Sequence, residues 1–391
     1  MEDHHFSRSW IVAAWFLLIP LSSSAVTARS TAATIISQGP YATTGTRQFV
    51  LHSQRAGHDF LIVVSAPSGP FMQPGKKLPA IYTLDGGYGI AGPIGQMMSW
   101  SGTMSPAYVV SVSYPKGQES NRDSDLLYRP VTRDGVTTGG AGAAFEAFLT
   151  QELKPFLEAR YPLDPDGAVL FGHSYAGLFV ANVLAESPDA FWGYVVASPS
   201  VWADPDLLAK LVTAAPKGHG RHVYVAVGEK EGTAENQKPT MLEGADEIAD
   251  ALTAPNSTFT VQKTIFSGEN HISYWPQLVP ASLKWILPPP TPGQTQHVAI
   301  TMSAAALERF VGVYEIADGR MVTIRASDGH LFAGLTGSPE GEILPETQQR
   351  FFAPVAGYDI VLTFERAAHR PSPALVFSVN GTETRAVRKT Q

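Results

Sequence analysis

Leu170-Phe171-Gly172-His173-Ser174-Tyr175-Ala176-Gly177 closes a short apolar run, Ala168–Phe171, and opens a second apolar segment, Tyr175–Leu184. A serine hydroxyl is a poor nucleophile until a base takes its proton. To act, it must also project from the end of a strand into a cleft. A sharp strand-to-helix turn achieves this, with small residues on both sides of the serine so that strand and helix can approach closely. Gly172 is the first of them. The second is usually a glycine two places after the serine; here Ala176 holds that place and Gly177 follows. Alanine is small enough for the approach, so the stretch reads as a nucleophile elbow with Ser174 at its apex. The bland alternative is a chance pattern in a chain with 35 glycines. An apolar strand before the motif and an apolar helix after it argue against chance.

An elbow makes a demand on the rest of the chain: an acid and then a histidine must follow, each after a later strand. The run Val223–Val227 ends in Gly228-Glu229-Lys230-Glu231-Gly232, and the run Val261–Phe266 ends in Ser267-Gly268-Glu269-Asn270-His271. His271 is therefore the expected base. Either Glu229 or Glu231 is in the right order to orient it. Glu231 is the expected acid, because it lies farther into its turn, where a carboxylate can lean across to the histidine loop. His5, His52, His58, His219 and His222 lack such a context, and His173 is expected to support the elbow rather than transfer protons. The tetrahedral intermediate of acyl transfer needs two backbone N–H donors for its oxyanion. Tyr175, next after the serine, is one. Gly87, in the Asp85-Gly86-Gly87-Tyr88 turn, is the other, since glycine lets the backbone come close to a substrate.

Working outward, Phe49–His52, Phe60–Ala66, Ala80–Leu84 and Val109–Val112 read as strands, and Phe145–Phe156 as an amphipathic helix from its apolar spacing. Tyr194–Ala197 is a further strand and Pro239–Ala251 a helix. Such alternation predicts an α/β fold, a mostly parallel sheet with helices on both faces. Near Leu287 the texture changes. PPPTPGQTQ reads as a linker, placed at 288–298. Beyond it, after a helical Ala304–Phe310, come strand-like runs: Met321–Arg325, Leu331–Ala333, Ile360–Phe364, Leu375–Val379 and Arg385–Arg388. Asp318-Gly319, Asp328-Gly329 and Asn380-Gly381 are hairpin turns between them. A small antiparallel, barrel-like β domain is expected over 299–391, beside a catalytic domain over 35–287.

With 391 residues, two domains are the natural expectation. The net charge of −7 and the lack of a basic stripe set nucleic acid aside as a partner. The chain has no cysteine, which excludes disulfides, thiolate catalysis and cysteine-held metal together. At the N-terminus, Trp10–Leu21 is apolar but short for a membrane span. Small residues follow, with Val26 and Ala28 placed as the −3 and −1 residues of a signal-peptidase site. Residues 1–28 are read as a signal peptide, and the mature chain as periplasmic or secreted, with no stable membrane anchor after cleavage.

The elbow GHSYAG, the preceding FEAFLTQELKPFLEARYPLDP, the later FWGYVVASPSVWAD, the VAVGEKEG strand end and the ENH loop resemble the putative-esterase family of α/β-hydrolases. That group includes esterase D-like enzymes and siderophore trilactone esterases. Its Ser-Pro-Ser-x-Trp segment after the sixth strand is matched by Ser198–Trp202. The resemblance covers roughly residues 35–287. It implies an α/β-hydrolase fold and a serine esterase without metal or organic cofactor. By motif position it supports Ser174, His271 and a carboxylate three residues after Gly228, which is Glu231. The tail, in LERFVGVYEIADGRMVTIRASDGHLFAGLTG and VNGTETRAVRK, is similar to a small β domain downstream of some secreted serine hydrolases and penicillin-recognising enzymes.

Together these readings predict a serine carboxylic ester hydrolase acting through an acyl-enzyme on a small ester or lactone. Acyl transfer by the same triad is the near alternative, and a non-catalytic binding protein on this fold the distant one. Arg122, Arg129 and Arg133 are candidates to meet an anionic or phenolic substrate; exposed arginines are usually only solvated, so no binding role is assigned to them. The sequence gives no oligomeric state.

Overall fold

Ten strands precede Leu287: β1 (Thr46–His52), β2 (Asp59–Ser65), β3 (Ala80–Thr83), β4 (Tyr108–Ser113), β5 (Pro130–Arg133), β6 (Val136–Gly139), β7 (Val169–His173), β8 (Gly193–Ala197), β9 (His222–Gly228) and β10 (Thr260–Phe266). Eight of them form one sheet in the order β1-β2-β4-β3-β7-β8-β9-β10. β1 and β2 pair antiparallel; every pairing from β4 across to β10 is parallel. The computed structural model describes residues 43–389 apart from 68–75, 119, 134, 234–237, 289–296, 356–357, 367–369 and 380. The expected signal peptide, 1–28, and most of the expected linker lie outside the described residues.

The continuous apolar runs follow from a sheet covered on both faces. All five residues of β7 are buried. Val169 and Phe171 point into a core with the helices Ala91–Ser101 and Trp275–Ile286. Leu170, between them, points the other way, into a larger core with Phe145, Phe148, Leu178, Leu211 and Ile248 from the helices on the opposite face. Each such side chain contributes roughly 1.5–3 kcal/mol of burial. β5 and β6 form a separate two-stranded hairpin, which the sequence reading did not identify. The helix expected over Phe145–Phe156 runs from Gly142 to Glu158, with a six-residue π-helical stretch, Phe148–Leu153, at its centre.

The C-terminal part is a closed antiparallel barrel of eight strands in sequential order. They are β11 (Gly312–Ile316), β12 (Met321–Ser327), β13 (His330–Leu335), β14 (Gly341–Pro345), β15 (Arg350–Ala353), β16 (Ile360–Phe364), β17 (Ala374–Val379) and β18 (Thr382–Arg388). Closure removes free sheet edges. The barrel has its own core around Phe310, Tyr314, Phe351 and Phe364. Its contact with the sheet unit includes a hydrogen bond from the Tyr358 hydroxyl to the Ser99 carbonyl, 3.2 Å long.

Candidate active site

Ser174 stands between β7 and the helix Tyr175–Glu186 with φ 64° and ψ −122°. That backbone region is nearly closed to residues with a side chain, and its cost persists only where the surroundings impose it. Here the Ser174 amide donates to the Ala197 carbonyl at the end of β8 (3.0 Å), while its own carbonyl accepts from Leu178 (3.0 Å). Two glycines make the turn feasible. A Cβ at Gly172 would strike the Ala176 carbonyl, and one at Gly177 the Ala197 carbonyl. The close approach to the neighbouring strand is thus made by Gly177, with Ala176 buried beneath the turn.

Glu231 and His271 meet across the ends of β9 and β10. His271 Nδ1 lies 2.5 Å from Glu231 Oε2. An ionised carboxylate only accepts, so Nδ1 carries the proton and Nε2 is the nitrogen with a lone pair for a hydroxyl. Glu231 is 6% exposed, so its charge needs partners. Its Oε1 accepts from the Gly228 amide (2.8 Å) and from the Ser198 hydroxyl (2.7 Å). Gly228 must be small: a Cβ there would fall 2.8 Å from the Glu269 carbonyl, in the loop that carries His271. Glu229 does something else. Its Oε2 accepts from the Gly268 amide (2.6 Å) and the Ser267 hydroxyl (2.9 Å), and these bonds lower its pKa, the Gly268 amide foremost. Between the two carboxylates, the one against the imidazole is Glu231.

His173 is buried with its ring centroid 4.3 Å from that of His271, and Trp275 packs on it at 5.2 Å. Burial first, then the nearby charge of His271, pushes its pKa down to about 3. Burial thus disfavours its charged form.

Ser174, Glu231 and His271 line one open cavity of about 770 Å³ with Tyr175, Ser200, Trp202, Arg122, Arg133 and Lys230 among its other walls. Val131, Val136 and Thr138 of the β5–β6 hairpin form one side of it. Arg122 grips Asp85 with two parallel bonds, Nε to Oδ1 at 2.8 Å and Nη2 to Oδ2 at 2.7 Å. Burial opposes the guanidinium's charge, but these bonds outweigh it and its pKa is raised. Arg122 also lies 5.7 Å from the Tyr175 ring, which in turn packs against Trp202. Arg133 is at the cavity too, whereas Arg129 pairs with Asp206.

The two expected oxyanion donors fare differently. Tyr175 begins a helix, where an amide has no partner within the helix, and it lines the cavity. Gly87 lies buried in the turn Leu84–Gly89 at φ 53° and is not among the described lining residues. Sequence reasoning missed Ser198, Tyr274, Trp202 and the hairpin. Trp202 and Ser198 stand in the quoted Ser-Pro-Ser-x-Trp segment, so that segment was the available signal. No group of His, Asp or Glu that could hold a metal ion occurs among the described residues.

The model of the family described as Putative esterase matches residues 53–286, and that of a domain of unknown function, DUF3471, residues 296–382. Ferri-bacillibactin esterase BesA of Bacillus subtilis is 32% identical over 271 residues, which cover 63% of this chain and 91% of that protein. The siderophore triacetylfusarinine C esterase of Aspergillus fumigatus is 32% identical over 166 residues, 40% of this chain and 56% of that one. Among solved structures, the BES protein from Bacillus cereus superposes with a TM-score of 0.57 at 26% identity, over 64% of this chain and 99% of its own.

Proposed function

The chain belongs to the putative esterase family, and from that premise we propose that it hydrolyses a small ester through a serine acyl-enzyme, with Ser174 as nucleophile, His271 as base and Glu231 as the acid that orients it. The observation that carries this reading is the 2.5 Å contact of His271 Nδ1 with a buried, multiply bonded Glu231, in the same cavity as a serine at φ 64°.

The chemistry follows from those groups. His271 Nε2 takes the Ser174 proton as Oγ adds to the ester carbonyl. Glu231 keeps the productive tautomer and stabilises the imidazolium that forms. The oxyanion faces the amide of Tyr175, with the positive end of its helix behind it; Gly87 remains the proposed second donor. His271 then returns the proton to the departing alcohol, and water repeats the cycle on the acyl-enzyme. For the substrate, the relatives' names support an ester of a siderophore. A cavity lined by aromatic Tyr175 and Trp202 and by cationic Arg133 and Lys230 suits a ring system bearing negative charge.

Ser174→Ala should leave the fold intact, lower kcat by roughly 10⁴-fold or more and abolish labelling by a fluorophosphonate. Near-normal turnover by this variant would end the reading. Product analysis with an added alcohol separates hydrolysis from acyl transfer. We also propose that the chain is exported and begins near Arg29 when mature. Intact mass of native material tests this, and a soluble protein that retains Met1–Ala28 would refute it.

A further inference from the structure

Two buried hydroxyls stand behind the acid, and the proposed reaction does not itself use them. Ser198 follows β8 directly, and Tyr274 directly precedes the helix Trp275–Ile286; both side chains are fully buried. The Ser198 hydroxyl donates to Glu231 Oε1 at 2.7 Å, and the Tyr274 hydroxyl lies 2.5 Å from Ser198 Oγ. Ser198 has one proton, and the carboxylate holds it. Tyr274 must therefore be the donor in the second bond. It keeps its proton: burial first, then the negative charge of Glu231, raises its pKa well above the ordinary value. Ser198 sits at φ 39°, a conformation that costs a non-glycine residue energy, and its amide is anchored on the Ala226 carbonyl at 2.7 Å. A strained serine on a rigid strand end, aimed at a buried carboxylate, is what holding that carboxylate requires.

We propose that Tyr274 and Ser198 are positioning residues, a donor chain from the Tyr274 hydroxyl through the Ser198 hydroxyl to Glu231 Oε1 that keeps Oε2 facing His271 and spreads the carboxylate's charge. This rests on the reading of Ser174, His271 and Glu231 as a triad. With Oε1 fixed by two donors, Ser198 and the Gly228 amide, rotation of the carboxylate breaks two bonds at once. Donors in series polarise one another, so the chain is worth more than its links taken singly. Other titratable or charged groups around the pair are His173 from the elbow, Arg122 beyond it, and Lys230 and Glu269, whose backbones join the two turns.

The test compares Ser198→Ala, Ser198→Gly, Tyr274→Phe and the double variant Ser198→Gly/Tyr274→Phe with the wild type, by kcat, KM and the pH profile of kcat/KM on one soluble ester. Glycine relieves the positive φ, so it separates loss of the hydroxyl from backbone strain and keeps the question open to answer if the alanine variant folds poorly. Loss of the Ser198 hydroxyl should lower kcat about ten- to a hundredfold, the value of one hydrogen bond to a charged group, with KM little changed. The acid limb should move to higher pH, because a carboxylate with fewer donors holds the imidazolium more tightly. Tyr274→Phe should move both in the same direction by less. The double variant should be no worse than Ser198→Gly, since Tyr274 acts only through Ser198. Wild-type behaviour in Ser198→Gly, a fall in kcat with an unmoved acid limb, or additive losses in the double variant would each overturn the proposal. Failure of the triad itself would show separately, as retained turnover in Ser174→Ala.

Discussion

At the scale of single residues, the two glutamates two places apart show how position outweighs chemistry. Both lie in the turn that follows β9, yet Glu231 is buried against His271 and Glu229 is an exposed acceptor for the Ser267–Gly268 turn. Glu231→Gln should keep the fold and lower kcat by about three to four orders of magnitude, because an amide no longer selects the useful imidazole tautomer. Glu229→Gln should leave most of the activity and chiefly loosen the turn. Measuring kcat and thermal stability for both variants checks this, and the reverse order of damage would move the acid to Glu229. The candidate serine, acid and histidine could be picked out because an elbow dictates their order along the chain, and the structure places Glu231 against His271 in the cavity that Ser174 lines. Ser198 and Tyr274 could not be picked out. They converge only because β8 and β9 are neighbours and the histidine loop folds over both, facts of sheet order that no local pattern encodes.

At the scale of elements, the elbow shows both what a motif carries and where it misleads. The small residue after Ser174 was sought two places on, at Ala176. The structure puts the close approach at Gly177, against the Ala197 carbonyl, so the sequence had the right need at a neighbouring position. The strands of the parallel sheet were legible within a residue or two, since burial on both faces makes the central ones, β3, β7, β8 and β9, nearly solid apolar runs. The barrel was harder. β11, β14 and β15 went unread: β14 ends in proline and starts in glycine, and β15 has four residues. His297 shows how its start is secured. Its Nδ1 lies 3.0 Å from Glu346 and its Nε2 2.7 Å from Asp359, with the ring stacked on Phe352. Both partners are acceptors, so both bonds need the imidazolium. Burial opposes the charge, but the Asp359 and Glu346 bonds outweigh it and raise the pKa above 6.5. A raised value means that the stabilisation is complete below the unfolded pKa and is lost as pH rises through the folded one. The barrel's melting temperature should therefore fall from about pH 6 to about pH 9 more steeply in the wild type than in His297→Gln. Parallel curves would show that His297 contributes no charge.

At the scale of the whole molecule, the question is whether the barrel takes part in the chemistry. The cavity lined by Ser174 and His271 lies at the edge of the sheet where β7 and β9 end, and its described walls come from residues 122 to 271. The barrel's hydrogen bond from Tyr358 reaches Ser99, and the Tyr358 ring fills the space over Gly102. Both positions close the far end of the helix Ala91–Ser101. That helix starts just after the turn that follows β3 and has 11 residues, with the barrel's contacts at its other end. At 1.5 Å per residue it spans about 16 Å. Ser105 likewise bonds the Pro288 carbonyl, just beyond the last helix of the sheet unit. A chain that ends at Leu287 thus keeps every group of the proposed mechanism, and gives up the Tyr358 contacts at Ser99 and Gly102. It should fold with a lowered melting temperature and retain the kcat of the full chain on small soluble esters. Circular dichroism and steady-state kinetics on the two forms decide it. A folded but inactive short form would mean that the barrel reaches the site by a route these contacts do not contain. A defect confined to bulky substrates would instead assign the barrel to holding the part of the substrate that extends beyond the cavity.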